Sequence, residues 1–258
     1  MMKRPNVIIC TAGNTSGLRF AREELTNRGL AVLDTPEPDV THLLLPIPSF
    51  ETDGRIKGGG ILSHILADLS EDVTVIGGNL DHPALAGTKT IDLLQEPDYV
   101  AQNAAITADR ALRIALQELP VVLRNCPALI IGWGRIGKCL GQLLQALGAR
   151  VTIAARRETD RAMIAALGYA AADTASLSST LGDYRVIFNT VPVAILQDSC
   201  VERYHPNCVQ IDLASQKCLP GNHVIWARGL PGKDAPETSG KLIADTVANL
   251  LFGKGSVL

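Results

Sequence analysis

The sequence predicts an α/β protein with two doubly wound parallel sheets, one following the other along the chain. Three observations predict this fold class. Short apolar runs alternate with amphipathic helical stretches, many of these runs end in glycine, proline or polar turns, and one long helical stretch separates two strand-rich halves. Strands that alternate with helices form parallel sheets covered on both faces, and 258 residues suffice for two modest domains.

Composition narrows the class of protein. Hydrophobic residues make up 47% of the chain and charged residues 19%, which is typical of a globular protein. A net charge of −2 gives no electrostatic footprint for nucleic acid or an anionic membrane. No apolar run approaches the roughly eighteen residues of a membrane span, so we expect a cytoplasmic protein. Six cysteines without C-x-x-C spacing and five scattered histidines indicate reduced thiols and no metal site.

The first half of the chain alternates strands with helices and turns. Its predicted strands cover residues 6–10, 30–33, 41–45, 73–76 and 88–93. Its predicted helices cover residues 18–27 and 61–69, and the glycine- and charge-rich segment 50–60 is predicted to be a surface loop. We interpret residues 1–96 as a flavodoxin-like domain. Small polar residues follow two of its strands, at 11–16 and at Ser49, where hydroxyls and backbone amides are candidates for binding a carboxylate.

A long helical pattern at residues 98–119 predicts a bridge between two domains. Pro97 suits the first turn of this helix, and Pro120 lies beyond its end. We therefore place the second domain at residues 97–237. Asn103 and Thr107 lie one helical turn apart on one face of the bridge. They are candidate catalytic residues, expected to line a cleft between the domains.

The second half opens on the most informative motif in the chain. The apolar run Ala128–Ile131 leads into Gly132-Trp133-Gly134-Arg135-Ile136-Gly137, and an apolar-periodic helical stretch follows. A G-x-G-x-x-G turn between a strand and a helix brings backbone N–H groups to a pyrophosphate. The motif predicts a Rossmann dinucleotide-binding domain, with a purely structural turn as the alternative. The predicted cofactor contacts in this motif are Gly132, Gly134, Arg135, Ile136 and Gly137.

The next strand, at residues 151–154, bears on the choice of cofactor. Domains that prefer NAD usually place a carboxylate at the end of this strand, where it accepts a hydrogen bond from the ribose 2′-OH. Here Ala155 is followed by Arg156 and Arg157. An arginine fork matches the charge and geometry of a 2′-phosphate. The three residues therefore favour NADP(H), with NAD(H) and a simple arginine-capped turn as alternatives.

Further strands are predicted at residues 186–192, 209–215 and 224–227, and helices at residues 161–167 and 174–181. In doubly wound sheets, ligands bind outside the carboxyl ends of the strands. Polar residues at these ends are therefore expected to face the nicotinamide and the substrate, although each is equally suited to capping a turn. The predicted contacts are Asn189, Thr190, Val191, Pro192, Asp212, Leu213 and Ala214. A long glycine- and proline-rich loop is predicted at residues 228–240, before a final helix at residues 241–252.

Several of these segments resemble the family of dipicolinate synthase A subunits. The resemblance is carried by Gly229-Leu230-Pro231-Gly232 and Ala235-Pro236-Glu237-Thr238-Ser239-Gly240 in the loop, by Phe188–Pro192 and Ile211–Ser215 at two strand ends, and by Gln102–Asp109 in the bridging helix. It is specific in the second domain and weak in residues 1–95.

The resemblance implies a two-domain fold like that of the D-2-hydroxyacid dehydrogenases, with the C-terminal helix, at residues 238–253, returning to the first domain. It also implies oxidation of dihydrodipicolinate to dipicolinate with NADP(H) or NAD(H). Members of the family work with a second, flavoprotein-like subunit during sporulation, and a homo-oligomer is expected. Leu230, Pro231 and Gly232 are then further candidates for contacting the cofactor.

A small dicarboxylate substrate needs cations or N–H donors for its carboxylates. Arg228 is the candidate bidentate clamp and Lys233 a weaker one, with a solvated loop charge as the alternative for both. Asp212 is the candidate base, or else the anchor of a turn or a ribose. Two other functions remain open: an NAD(P)-dependent oxidoreductase for a 2-oxo acid on the same scaffold, and a non-catalytic NADP-binding regulatory module.

Overall fold

The structure, a computed structural model that describes residues 7–253, contains two compact α/β units. One unit comprises the residues up to Asn103 together with those from Pro231 onwards, and the other runs continuously from Ala104 to Leu230. The strands of both sheets pair in parallel. The predicted fold class is therefore confirmed. The division between the units falls inside the bridging helix α3 (Pro97–Glu118).

The first unit is built on a five-stranded sheet. Its strands are β1 (Ile8–Thr11), β2 (Ala31–Leu33), β3 (His42–Leu44), β4 (Thr74–Gly77) and β5 (Lys89–Asp92), and its first two helices are α1 (Ser16–Asn27) and α2 (Leu62–Ala67). The strand order β2-β1-β3-β4-β5 is the flavodoxin-like order. Of the first predicted strand, Asn6 lies outside the described residues.

The C-terminal helix α7 (Pro236–Phe252) belongs to the first unit, where it packs along α1. The two helices approach closely at Gly240, because a Cβ there would lie 2.4 Å from Cβ of Phe20 and 2.7 Å from the carbonyl oxygen of Gly17. An ion pair between Arg28 of α1 and Asp245 of α7 adds a polar contact. The return of the C-terminal helix to the first domain is confirmed.

The loop predicted at residues 228–240 is largely helical, so that prediction is wrong. Gly229 turns the chain with a φ of 72°, a one-turn helix α6 (Leu230–Asp234) follows, and α7 then begins at Pro236. Proline at the first position of a helix loses no hydrogen bond, since the N–H groups of the first turn have no partner within the helix. The proline- and glycine-rich composition therefore hides helix starts rather than indicating a loop.

The second unit contains a six-stranded sheet with the order β11-β10-β9-β6-β7-β8. Its elements are β6 (Pro127–Ile131), α4 (Arg135–Ala146), β7 (Arg150–Ala155), α5 (Glu158–Ala166), β8 (Ala170–Asp173), β9 (Val186–Asn189), β10 (Val209–Asp212) and β11 (Ile225–Trp226). Numbered within the unit, this order is the 3-2-1-4-5-6 order of dinucleotide-binding domains. The strand order reverses between β6 and β9, which is where such sheets bind ligands.

Two cores flank this sheet. On β6, Ala128 and Ile130 face a cluster that includes residues of α3, α4 and α5, whereas Leu129 and Ile131 face the opposite cluster. Short 3₁₀ segments, rather than the helix predicted at residues 174–181, cover the opposite side at Thr174–Ser179, Leu181–Asp183 and Asp198–Arg203. Across residues 7–253, no helix is both long enough and apolar enough to cross a membrane.

Candidate dinucleotide-binding site

The turn between β6 and α4 needs glycine at two positions because neighbouring atoms leave no room there for a Cβ atom. At Gly132, where φ is 110°, a Cβ would lie 2.4 Å from Oγ1 of Thr190 and 2.7 Å from Cγ2 of Val191. At Gly137, a Cβ would lie 2.2 Å from the carbonyl oxygen of Gly132. Helix α4 therefore packs directly on the turn, which fixes where the helix begins.

Gly134, the middle glycine, lies in open space instead of a crowded one. It is the N-cap residue of α4, and a Cβ added to it would meet nothing within 4 Å. Within the described part of the chain, no side chain caps this helix. The first N–H groups of a helix have no partner inside it, and here they open onto free space beside Gly134. That arrangement suits a pyrophosphate, which needs both the N–H donors and close approach to the backbone.

A cleft of about 590 Å³, which we call the glycine-turn cleft, opens beside this turn within the second unit. Gly132 and Gly134 line one edge, Ala155–Arg157 at the end of β7 line another, and Val191–Pro192 after β9 line a third. The structure therefore brings together these predicted cofactor residues. It adds the unpredicted Trp133, Ala154, Asp160, Thr174, Val193 and Ile195.

The two arginines at the end of β7 differ in their contacts. Within residues 7–253, the exposed Arg156 side chain makes no hydrogen bond or ion pair. Arg157 donates from Nε to Oδ2 of Asp160 at 2.8 Å and from Nη2 to Oδ1 at 3.2 Å. The hydrogen bonds from Arg157 to Asp160 raise the pKa of Arg157 above its ordinary value. Arg156 is therefore the cation available for a ligand, and Arg157 is engaged.

Arg161 holds the turn that carries both arginines. Its Nη1 donates to the carbonyl oxygens of Ala155 and Arg156, at 3.0 and 2.6 Å, and lies 3.1 Å from Oδ2 of Asp173 at the end of β8. The Asp173 carboxylate also accepts from the N–H of Ala175. Arg161 thus ties the ends of two neighbouring strands, a role that the sequence interpretation missed.

The residues around the glycine-turn cleft fit a dinucleotide. The uncapped start of α4 beside Gly134 offers N–H donors to a pyrophosphate, and the apolar side chains of Ala154, Val191 and Ile195 line the cleft as a slot for an adenine ring. Arg156, at the strand end where the ribose binds, suits a 2′-phosphate.

Asp212 is fully buried, and both of its oxygens are used. Oδ1 accepts from Nδ2 of Asn189 at 2.9 Å and from the N–H of Ala214 at 3.0 Å. Oδ2 accepts from the N–H groups of Cys218 and Leu219 at 2.6 and 2.8 Å. The interpretation of Asp212 as a catalytic base is therefore wrong, because the carboxylate anchors the chain after β10. Burial, together with the charge of Asp212, raises the pKa of the Cys218 thiol.

The residues after β9 also serve the turn they lie in. Asn189 is buried, donates from Nδ2 to the carbonyl oxygen of Val191 at 3.0 Å, and accepts from the N–H of Val191 at 3.1 Å. Thr190 donates from Oγ1 to the carbonyl oxygen of Ile131 at 3.0 Å. Asn189 is thus committed to the turn that closes over Gly132, which corrects its expected role, whereas contact of the half-buried Thr190 with the nicotinamide stays a prediction.

Other predicted cofactor contacts are dispersed. Leu213 and Ala214 are buried, and the carbonyl oxygen of Ala214 accepts from Nε1 of Trp226 at 3.0 Å. Leu230 is buried in the core of the second unit. The remaining predicted contacts are Arg135 and Ile136 in the first turn of α4, and Pro231 and Gly232 in the first unit. Their contact with a cofactor stays a prediction.

The candidate catalytic residues lie on two elements and in one turn. Arg228 is exposed two residues after the end of β11, and its side chain has no hydrogen bond or ion pair within the described residues. Lys233 is exposed on α6. Asn103 and Thr107 lie one turn apart on α3, and Thr107 is buried. A substrate role for these residues stays a prediction.

In the first unit, Ser49 is not available to a ligand, which corrects its interpretation as a carboxylate-binding hydroxyl. It is fully buried, donates from Oγ to the carbonyl oxygen of Pro46 at 2.9 Å and accepts from the N–H of Gly78 at 3.0 Å. The polar residues 11–15 line a separate cleft of about 360 Å³. Beside that cleft, burial raises the pKa of the Cys10 thiol to about 11, so the thiol is protonated at neutral pH.

Together, the strand order of the second unit and its glycine turn define the fold of the dinucleotide-dependent dehydrogenases. D-lactate dehydrogenase from Escherichia coli is similar, with a TM-score of 0.59 and 13% identity over 94% of this chain and 95% of that one.

The chain resembles the A subunit of dipicolinate synthase more strongly. The crystal structure of that subunit from Bacillus halodurans has a TM-score of 0.85 and 20% identity, and covers 96% of this chain and 98% of that one. The corresponding protein of Bacillus subtilis (strain 168) is 28% identical over 176 residues, which are 65% of this chain and 59% of that protein. The sequence match therefore spans less than two thirds of the relative. No protein-family model matches the chain.

Proposed function

We propose that this protein is an NADP-dependent oxidoreductase that oxidises dihydrodipicolinate to dipicolinate, as the A subunit of a dipicolinate synthase. The observation that carries the proposal is the glycine-turn cleft, where an uncapped helix start at Gly134 lies beside a free cation at Arg156. The similarity to the dipicolinate synthase A subunits supports the choice of substrate.

The residues of the cleft would divide the work of holding NADP(H). The first N–H groups of α4 would bind the pyrophosphate, the apolar slot would hold the adenine, and Arg156 would bind the 2′-phosphate. The bound nicotinamide supplies a hydride acceptor. Thr190 and Val191 keep the turn closed over Gly132 and thereby fix the position of the helix start.

Oxidation of the dihydropyridine ring removes a hydride from one ring carbon and releases a proton to water, and the ring becomes aromatic. Aromatisation supplies driving force, so correct positioning of the substrate matters more than a strong base. This chemistry agrees with the burial of Asp212, whose oxygens are committed to the turn. Arg228 would hold a substrate carboxylate through a bidentate fork.

The decisive experiment incubates the purified protein with dihydrodipicolinate and NADP⁺, with and without a flavoprotein-like second subunit, and follows dipicolinate and NADPH by absorbance. We expect both products to form in equal amounts. If the protein binds the cofactor but forms no product, both with and without the second subunit, the result contradicts the proposed reaction and favours a regulatory module. Oxidation of a 2-hydroxy acid instead would favour the other dehydrogenase chemistry.

The role of Arg156 is tested by the variant Arg156→Ala. We expect its Kd for NADPH to rise at least about tenfold, since a lost hydrogen-bonded charge pair is worth about 1.5–3 kcal/mol. The Kd for NADH should change less than about twofold. Fluorescence titration measures both. Arg135→Ala, which removes an exposed arginine of the glycine turn, is the control and should affect both cofactors alike; equal losses in Arg156→Ala would overturn the 2′-phosphate assignment.

Arg228 is tested in turnover rather than in cofactor binding. We expect Arg228→Ala to lower kcat/KM for dihydrodipicolinate by about a hundredfold while the Kd for NADPH stays unchanged, because the fork contacts the substrate alone. Arg228→Lys keeps the charge without the fork and should recover only part of the loss. Lys241→Ala, at an exposed cation of α7, serves as the control and should leave the kinetics unchanged. Unchanged steady-state kinetics in Arg228→Ala would remove this residue from the site.

A further inference from the structure

We infer that Asp160 limits the preference of the glycine-turn cleft for NADP(H) by holding Arg157 back from the 2′-phosphate. The inference rests on the proposed function, because it concerns the choice between two forms of the proposed cofactor. It goes further because it assigns opposite effects on that choice to two neighbouring side chains: Arg157 would favour NADP(H), and Asp160 opposes it.

The geometry of the pair carries this inference. Arg157 and Asp160 both line the glycine-turn cleft. Two hydrogen bonds join the guanidinium to both carboxylate oxygens of Asp160. The Arg157 side chain is 72% exposed and that of Asp160 25%, so the arginine is the partner that is free to move. Asp160 lies in the first turn of α5, where the positive end of the helix dipole stabilises a carboxylate.

The carboxylate of Asp160 occupies the Nε–Nη2 edge of the Arg157 guanidinium, so a phosphate competes with it for the orientation and the charge of this side chain. A guanidinium binds either group through two parallel N–H bonds. While Arg157 holds Asp160, only Arg156 at this strand end is free, within the described residues, to meet a 2′-phosphate. A 2′-phosphate that reaches Arg157 therefore meets a guanidinium whose charge is balanced and whose Nε–Nη2 edge is held by Asp160, whereas NAD(H), which lacks the phosphate, does not depend on this side chain. The pair therefore lowers the affinity for NADP(H) selectively.

Glu158 provides a matched comparison. It lies in the same first turn of α5 and carries the same charge, and its side chain makes no hydrogen bond or ion pair in the part of the chain that the structure describes. Neutralising Glu158 changes the general electrostatics of the turn and leaves Arg157 paired. Neutralising Asp160 changes the electrostatics of the turn and also breaks the ion pair with Arg157.

The experiment measures the Kd for NADPH and NADH by fluorescence titration in the full-length wild type, Asp160→Asn, Glu158→Gln and Asp160→Asn combined with Arg157→Ala. We expect Asp160→Asn to bind NADPH about three to ten times more tightly, with the Kd for NADH within about twofold of wild type. Glu158→Gln should leave the ratio of the two Kd values unchanged. The double variant should lose the gain, because the gain acts through Arg157. Asp160→Ser is a second replacement at the same position.

A merely structural role for Asp160 predicts a different result, since loss of a stabilising contact weakens binding of both cofactors. An unchanged or weaker affinity for NADPH in Asp160→Asn and Asp160→Ser would overturn the inference, as would an equal gain in Glu158→Gln or a gain that survives in the double variant. Failure of the proposed function appears separately, as absence of NADPH and NADH binding in the wild type.

Discussion

Asp212→Asn is expected to lower the free energy of unfolding of the second unit by about 3 kcal/mol. The buried carboxylate accepts four hydrogen bonds, from Asn189 and from the N–H groups of Ala214, Cys218 and Leu219. Asparagine replaces one oxygen with an NH₂ group, which would face donors instead of accepting from them. Each buried donor left without an acceptor costs about 1–3 kcal/mol.

Tryptophan fluorescence during urea unfolding measures this change, because both tryptophans of the chain, Trp133 and Trp226, lie in the second unit. Asp198→Asn, at an exposed carboxylate of the same unit, is the matched control and should shift the midpoint little. An Asp212→Asn midpoint equal to that of the control would show that the hydrogen bonds contribute no net stability. The result does not depend on a cofactor. It therefore tests whether Asp212 anchors the turn after β10 separately from the proposed activity.

Gly134→Ala is expected to weaken NADPH and NADH binding at least about thirtyfold, with a loss of at most about 1 kcal/mol in stability. A Cβ at this position meets no protein atom within 4 Å, and its φ of −80° suits alanine, so the fold accommodates the change. The same Cβ occupies the space through which a pyrophosphate would reach the first N–H groups of α4. Losing even one or two such charge-assisted bonds accounts for the expected factor.

Calorimetric titration with each cofactor and thermal unfolding measure the two quantities separately. Gly137→Ala is the contrasting variant: its Cβ would lie 2.2 Å from the carbonyl oxygen of Gly132, so stability and binding should fall together. Wild-type affinity in Gly134→Ala would place the dinucleotide elsewhere on the protein. A large loss of stability in the same variant would show that the open space beside Gly134 closes in solution.

The predictable part of the fold came from local patterns. Apolar runs with turns at their ends located most of the strands, and the glycines of 132–137 fixed the order strand, turn, helix without any knowledge of distant contacts. The strand at 170–173 was missed because it is almost entirely alanine, which does not favour strands. The helix starts at residues 230–240 do not show in the composition, because proline and glycine favour a helix start at some positions and a loop at others.

The sequence predicts those features of the candidate site that depend on the identity of a single residue, and not those that depend on its contacts. Whether Asp212 faces a ligand depends on Cys218 and Leu219 folding back onto it, which no periodicity reveals. The pairing of Arg157 with Asp160 did have a signal in the sequence, because residues three apart at a helix start lie on one face. Spacing alone, however, does not show that Arg156 stays free while its neighbour is engaged.

The return of α7 to α1 has a consequence for the order in which the nascent chain acquires structure. The second unit is one continuous segment, whereas the first needs residues from Pro231 onwards, which are made after the whole second unit. The second unit can therefore fold on the ribosome while the first unit still lacks α7, its partner helix along α1. Contacts between sequence-distant segments form slowly because a long loop must close first. The first unit, although it begins before the second along the chain, is thus completed after it.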